Sequence, residues 1–502
     1  MLFSLTTAQQ HLSITSIWGP EQTEVDSLCY NSSDAGKNSA FFCIIGSQAD
    51  GHEYAREAIK NGASMIVGSN KPFLEKLTAH YPSVTFLHVA DSKIAMAEFS
   101  IFFHNFVHHS LKTIGVTGTN GKTTVTAYTR TLLNRLNVPT GIMGTAGMWD
   151  HQSKLTFKQT TPTTPEAPDL HAIFERIYQN GAKAVSLEAT SIAIEQQRLH
   201  GIMFDVGIHT NLSPEHLDFH ETMDHYKQSK LKLFLQSKQA VVNLDDEGMA
   251  DDILAVFKGP LLTYSIEKKA DIYAEQIVPD ETGTSLTIVT QHNRYDIHVP
   301  VFGSYNISNL LASFCACMHL GMEEEHIIAQ LPFIEGPEGR FQVIDHYPRY
   351  KIILDYAHTP DALELVIEAA KKLKHRRLIL MLTGIGLRDP LKRPKMAKAA
   401  EGKADAFVVS VDHPGFVDRE KVADDVVSGF SDPHAPNVYK EPLREHAIHR
   451  SLSLSEEGDL VLITGLGFGG YQHVNGEQVP YDELQVIQDF FDKEKAQNIV
   501  SS

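Results

Sequence analysis

The run Gly115-Val-Thr-Gly118-Thr-Asn-Gly121-Lys122-Thr123-Thr124 constrains this chain more than any other feature. It overlaps the end of an apolar stretch, Thr113–Thr117, that reads as a strand. It precedes Val125, Tyr128, Leu132 and Leu136, which recur at helical spacing and predict a helix with one buried face. Strand, glycine turn and helix in that order make a phosphate-binding loop. The glycines let successive backbone N–H groups face phosphate oxygens, and the helix N-terminus adds partial positive charge. Lys122 is placed to contact the outer phosphates and Thr123 to hold Mg²⁺, with Gly118, Thr119, Asn120, Gly121 and Thr124 completing a nucleoside-triphosphate site. The general pattern is not met in full, because Val116 stands where its first glycine belongs, and the structural context carries the assignment.

The rest of the chain predicts an α/β protein in three parts. Residues 1–110 alternate short strands (Ala40–Ile45, Ser64–Gly68) with a helix over Glu53–Asn61 ended by Gly62, which makes a small α/β domain. Residues 111–337 continue the phosphate loop into a helix, Leu170–Gln179, and a strand, Ala184–Leu187, the rhythm of a doubly wound parallel sheet. Gly336-Pro337-Glu338-Gly339 marks a linker. Over residues 338–502 the rhythm restarts as a Rossmann-like domain. Its strands read as Lys351–Tyr356, Leu378–Thr383, Phe407–Val411 and Leu460–Thr464, and its helices as 361–373, 394–401, 419–428 and 443–453. Residues 491–502 read as a frayed tail.

A formal net charge of −18 argues against a broad nucleic-acid or anionic-membrane surface, while leaving room for a local cationic pocket. Cys29, Cys43, Cys315 and Cys317 lack metal-ligand spacing and are too few for a disulfide framework, so they read as reduced thiols. Neither a signal peptide nor a membrane span is expected, and the compartment reads as the cytoplasm.

A phosphate loop serves motors, switches, kinases and ligases alike, so other elements must decide. Glu188 ends an apolar strand, where a carboxylate can meet a metal held at the loop or simply cap a helix. In Asn211-Leu-Ser-Pro-Glu-His216-Leu-Asp-Phe-His220, the two imidazoles at i and i+4 would share a helix face, although the sequence lacks a zinc-protease pattern.

GVTGTNGKTT, Leu187-Glu188, NLSPEHLDFHETMDHYKQSKLKLF and DYAHTPDALE together resemble the Mur ligase family, and their order and spacing are similar to its MurE branch. The resemblance runs from about Ser27 to Asp482. It implies a first domain for a UDP-sugar, a central domain for ATP and a third for an amino acid. Ser32, in an Asn-Ser-Ser stretch where the branch has Asp-Ser-Arg, and Asp50 and His52 of an Asp-Gly-His signature fall at the UDP-sugar end. Thr163, Thr164, Thr190, Ser191, Gln196 and Arg198 fall at positions lining a muramoyl-dipeptide channel. The resemblance implies that Glu188, His216 and Lys230, carbamylated by CO₂, position magnesium beside Thr123. Asn306 resembles an adenine-contacting residue, while Arg340, Asp355, Tyr356 and His358 resemble nucleotide-closing residues of the third domain. A monomer acting on small molecules is implied.

The third domain departs from the branch where the amino acid would sit. Asp412-His413-Pro414-Gly415 replaces Asp-Asn-Pro-Arg, and Gly465-Leu466-Gly467-Phe468-Gly469 replaces Gly-Lys-Gly-His-Glu. The arginine fork for a distal carboxylate is gone, while Arg388 remains for an α-carboxylate. Diaminopimelate is therefore disfavoured, with lysine, ornithine and neutral amino acids left open. The implied activity is ATP-dependent, ADP-forming addition of an amino acid to the D-Glu carboxylate of UDP-N-acetylmuramoyl-L-Ala-D-Glu, for peptidoglycan precursor synthesis. The alternatives are a paralogue redirected to another carboxylate and a non-catalytic nucleotide-binding regulator or scaffold. The latter would not need Lys122, Glu188, His216 and Lys230 together.

Overall fold

The computed structural model describes residues 2–4, 9, 11–46, 49–158, 160–344, 350–465 and 470–500. The chain forms two compact units: residues 1–122, 133–262 and 316–321 make the first, and residues 123–132, 263–315 and 322–502 the second.

Besides a two-stranded pairing of Leu2–Ser4 with Gln22–Glu24, two larger sheets build the first unit. One orders its strands Ile14–Trp18, Thr85–Val89, Ala63–Gly68, Ser39–Phe42 and Ser27–Cys29, all pairings parallel except the first. Its helix Ser92–Phe103 starts at Asp91, whose carboxylate accepts from the Lys93 and Ile94 amides and so satisfies two orphan donors. The part of the other sheet that gathers the phosphate loop runs Gly147–Trp149, Thr140–Gly144, Ala184–Glu188, Lys112–Thr117, Phe204–His209 and Ser237–Asn243, parallel apart from the first pairing. Leu170, Ile173, Phe174 and Ile177 line one face of the helix Ala167–Gln179 and are buried against this sheet's core. The carboxyl ends of Lys112–Thr117, Ala184–Glu188 and Phe204–His209 are adjacent in register, which gathers the phosphate loop, Glu188 and the Thr210 segment at one edge.

The second unit holds a six-stranded sheet ordered Gln342–Ile344, Lys351–Asp355, Leu460–Thr464, Leu378–Ile385, Ala406–Asp412 and Val438–Lys440. Leu378–Ile385 is buried at every position, as expected of a strand with helices on both faces. Thr359 caps the helix Pro360–Lys371, and Pro360 at its start has no N–H to leave unpaired. Three antiparallel strands, Ile272–Pro279, Thr284–Val289 and Arg294–Val299, and the antiparallel pair Tyr471–Val474 and Glu477–Pro480 also belong to this unit.

Two expectations are corrected. The end of the chain does not read out as a frayed tail: a helix spans Glu483–Val500, seated by Ile487 and Phe491 in the apolar cluster under the sheet. The two imidazoles of the His216–His220 stretch do not share a helix face either. The helix is only Leu217–His220, and His216 precedes it in a left-handed conformation at φ 56°.

Candidate functional site

In the first unit the phosphate loop turns at Gly118 (φ 151°) and Gly121 (φ 88°), where side chains are rarely tolerated. Lys122 bends back over the loop and donates to the carbonyls of Gly118 (2.9 Å) and Thr119 (2.8 Å). Lys230, from the helix Met223–Leu235, donates to the same Gly118 carbonyl at 2.7 Å and lies 4.4 Å from the Tyr226 ring centre. Only 1% of Lys230 is exposed. Burial first, and the neighbouring Lys122 charge second, hold its amine well below the ordinary lysine pKa, against an opposing pull from Glu215 and Asp246.

Glu188 is buried at the end of its strand. Its carboxylate accepts from the Thr145 amide (2.8 Å) and hydroxyl (3.3 Å), and Thr145 in turn meets the Thr163 hydroxyl at 3.1 Å. A side chain at Gly144 would come within 2.3 Å of the Glu188 carboxylate, so that glycine makes room for it. The Thr164 hydroxyl donates to the Glu188 carbonyl (2.7 Å) and lies 3.0 Å from that of Thr190. Arg198 donates to the Thr164 carbonyl and pairs with Glu166 at 2.7 Å. Gln196 is bonded to Lys93, which ties the early segment of the unit to this threonine-rich wall. His216 Nε2 lies 3.8 Å from Glu215, and His220 Nε2 lies 2.9 Å from the Ser191 hydroxyl. Burial, and then His225 and other cationic neighbours, push His220 down to about 4.

Elsewhere in this unit Ser32 donates to Glu57. His52 is buried, and its Nε2 accepts from the Asn70 amide at 3.1 Å. Its proton therefore sits on Nδ1, 2.6 Å from Asp50. All four cysteines are free and buried.

In the second unit Thr123 and Thr124 are buried in the helix that follows the loop. Asn306 is buried, donates to the Phe302 carbonyl and accepts from Asn309. Asp355 accepts from the Phe341 and Ala357 amides. Burial raises its pKa, opposed by Arg340, whose guanidinium stacks 4.6 Å from the Tyr356 ring centre. His358 lies against the same ring. The Tyr305 hydroxyl is buried with no hydrogen-bond partner among the described residues, and its charge neighbours are Asp355, Tyr128 and Arg340.

At the carboxyl edge of the six-stranded sheet, Asp412 is 1% exposed and its carboxylate accepts no hydrogen bond from the described residues. His413 Nδ1 accepts from the His473 amide at 3.0 Å. Gly465 donates to the Asp355 carbonyl, and a side chain there would meet Arg444 at 2.9 Å. Arg388 is exposed. Gly469 lies outside the described residues.

Three family descriptions fit the chain: "Mur ligase family, catalytic domain" over residues 24–103, "Mur ligase middle domain" over 116–317, and "Mur ligase, glutamate ligase domain" over 339–467. The UDP-N-acetylmuramoyl-L-alanyl-D-glutamate–2,6-diaminopimelate ligase of Geobacillus kaustophilus is 34% identical over 472 residues, 92% of this chain and 94% of that protein. The chain belongs to the Mur ligase family. A second relative, ligase 1 of the same description from Clostridium acetobutylicum, is 31% identical over 94% of this chain and 96% of its own length. A solved ligase of that description matches at 27% identity with TM-score 0.66, covering 94% of this chain and 95% of that one. As a Mur ligase the chain is an ATP-dependent, ADP-forming enzyme.

Sequence reasoning missed several residues of this Mur ligase. Thr145 cradles Glu188, Glu215 acts on Lys230, and Thr210 and Asn211 bond the phosphate loop. The family resemblance marks the segment from Asn211 onward but gives Asn211 itself no role. No helix among the described residues is long and apolar enough to cross a membrane.

Proposed function

We propose that this ligase adds an amino acid to the D-Glu carboxylate of UDP-N-acetylmuramoyl-L-Ala-D-Glu through an acyl phosphate. The observation that carries this reading is the meeting of Lys122 and Lys230 at Gly118, inside a chain that matches diaminopimelate ligases over nine-tenths of its length.

A carboxylate is a poor acyl donor because oxide is a poor leaving group, whereas phosphate leaves an acyl phosphate readily. Lys122 and the loop amides bind the nucleotide's phosphates and offset charge as the terminal phosphoryl group moves to the carboxylate oxygen. The neutral amine of the amino acid then attacks the acyl carbon, phosphate departs with the bonding pair, and the nitrogen gives up a proton, taken up by the departing phosphate or by water, as the amide forms. Thr163, Thr164, Thr190, Ser191, Gln196 and Arg198 hold the muramoyl peptide, and Ser32, Asp50 and His52 serve the UDP-sugar. Asn306, Arg340, Asp355 and His358 serve the nucleotide. Arg388, Asp412, His413, Gly465 and Gly469 serve the incoming amino acid.

The described residues contain no ready-made cluster of three or more His, Cys, Asp or Glu for a metal. The donor set nevertheless fits magnesium once Lys230 becomes a carbamate, because burial lowers the pKa of its amine and so favours the neutral form, which adds CO₂ with loss of a proton. Thr123, Glu188, His216 and the Lys230 carbamate would then hold Mg²⁺. Bound there, the ion supplies positive charge against the phosphate oxygens. A cytoplasmic monomer is part of this reading.

The altered segments at Asp412–Gly415 and Gly465–Gly469 favour one second reading, a paralogue redirected to another acceptor. Phosphate release from ATP with Mg²⁺ and UDP-N-acetylmuramoyl-L-Ala-D-Glu separates the two, with lysine, ornithine, diaminopimelate and neutral amino acids each added alone. Release with one amino acid, and a product heavier by that residue, supports the first reading. Silence across the panel, with ADP still bound, moves the assignment to the paralogue.

A further inference from the structure

The segment that leaves the strand Phe204–His209 grips the phosphate loop from one side. Asn120 donates its amide to Asn211 Oδ1 (2.9 Å), and its carbonyl accepts from the Thr210 hydroxyl (2.6 Å) and the Asn211 side-chain amide (3.2 Å). The Thr119 amide donates to the Asn211 carbonyl (2.8 Å), and the Ser213 amide donates to the Thr119 hydroxyl (2.9 Å). The orientation of two consecutive loop peptides is thus set by residues about ninety positions away in the sequence.

That gripping segment is itself fastened to the turn at 243–249. Asp246 Oδ1 accepts from the Leu212 amide (2.9 Å) and Oδ2 from the Met249 amide (2.9 Å), while His209 Nε2 lies 3.0 Å from Oδ2. Asn243 donates to the Thr210 carbonyl at 2.7 Å. The turn is pressed onto Leu212 so closely that a side chain at Gly248 would sit 2.9 Å from the Leu212 side chain and carbonyl. Burial works against the Asp246 charge. His209 and the two amides outweigh it and keep the carboxyl below its ordinary range.

We propose that Asp246 is a positioning residue for nucleotide binding, holding Thr119 and Asn120 in their binding geometry through His209 and Leu212. It touches no reacting group, and the proposal rests on reading the Gly118–Lys122 loop as the nucleotide site. A preorganised loop needs no rearrangement when phosphate arrives, so the cost of losing the anchor falls on nucleotide affinity.

The test uses the full chain with Asp246→Ala and Asp246→Asn, reading ADP affinity by calorimetry and KM for ATP and for the UDP-muramoyl peptide. Asp246→Ala is expected to weaken ADP binding and raise KM for ATP about tenfold, with KM for the peptide substrate within twofold. Asp246→Asn keeps an oxygen for the Leu212 amide and is expected to recover to within about threefold of wild type. His209→Gln serves as a second variant should Asp246→Ala not fold, with a smaller shift in the same direction. Unchanged ADP affinity in a folded Asp246 variant, or an equal rise in every KM, overturns the proposal. Failure of the wild-type chain to bind ADP would instead overturn the nucleotide-site reading itself.

Discussion

Lys122 and Lys230 donate to one carbonyl, that of Gly118, at 2.9 and 2.7 Å. Burial first, and the Lys122 charge second, hold the Lys230 amine well below its ordinary range. In the proposed mechanism the two lysines serve different chemistry, Lys122 facing the phosphates and Lys230 taking up CO₂. Lys122→Ala should lower phosphate release by a factor of about 10²–10³ or more while the fold persists. Lys230→Ala should lose a similar factor but regain part of it when formate or acetate is added, because a small carboxylate replaces the carbamate. Full activity of Lys230→Ala without additive would remove the carbamate from the mechanism.

Gly118 has no tolerance for a side chain. Its φ is 151°, and a Cβ would fall 1.8 Å from the Thr210 hydroxyl. Gly118→Ala should therefore push Thr210 off the Asn120 carbonyl and abolish measurable ADP binding. Circular dichroism should still show a folded chain. ADP affinity equal to wild type would show that the loop relaxes without consequence.

The parts of this structure legible in the sequence are those whose signal is local. The phosphate loop announces itself by glycines that the backbone needs. Strands such as Leu460–Thr464, buried at every position, appear as plain apolar runs. The partners of the site were not legible, because Asp246 and Thr145 reach their targets across the sheet and leave no spacing pattern. His216 and His220 misled because an i, i+4 spacing predicts a shared face only inside a helix, and here the helix starts after His216. Residues 491–502 read as a tail because Phe491, which packs into the cluster under the sheet, is followed directly by a run of charged residues. The terminal helix's anchor, Glu483, pairs with an arginine in a different helix.

Acid should weaken the first unit through two histidines. His108 and His171 are buried with ring centres 5.3 Å apart, and none of their ring nitrogens has a hydrogen-bond partner among the described residues. His109 packs on His108, and His104, paired with Glu175, adds a further like charge near His171. Burial pushes His108 down to about 4. The folded state then binds fewer protons than the unfolded state between about pH 6.5 and 4, so stability is lost as pH falls through that window. The loss from His108 alone is about 3 kcal/mol at its full extent. His108→Leu should flatten the fall in melting temperature between pH 7 and pH 5. An unchanged slope would place the acid sensitivity elsewhere.

Arg444 and Glu483 form the most deeply buried ion pair in the second unit among the described residues, with both side chains almost wholly enclosed. Arg444 Nε donates to Glu483 at 2.6 Å and Nη1 to the Thr383 hydroxyl at 2.9 Å, joining the helix Arg444–Ser453 to the sheet and to the helix Glu483–Val500. Burial raises Glu483 to about 7 despite the arginine, so its charge is held with little to spare. Removing the cation leaves a buried carboxylate with nothing to offset its desolvation. Arg444→Leu should cost about 3–5 kcal/mol in denaturant unfolding. The double variant Arg444→Leu, Glu483→Leu removes both charges and should be less destabilised than the single one, since well-packed apolar groups replace such pairs at small net cost. Strict additivity of the two substitutions would mean that the pair contributes through packing alone.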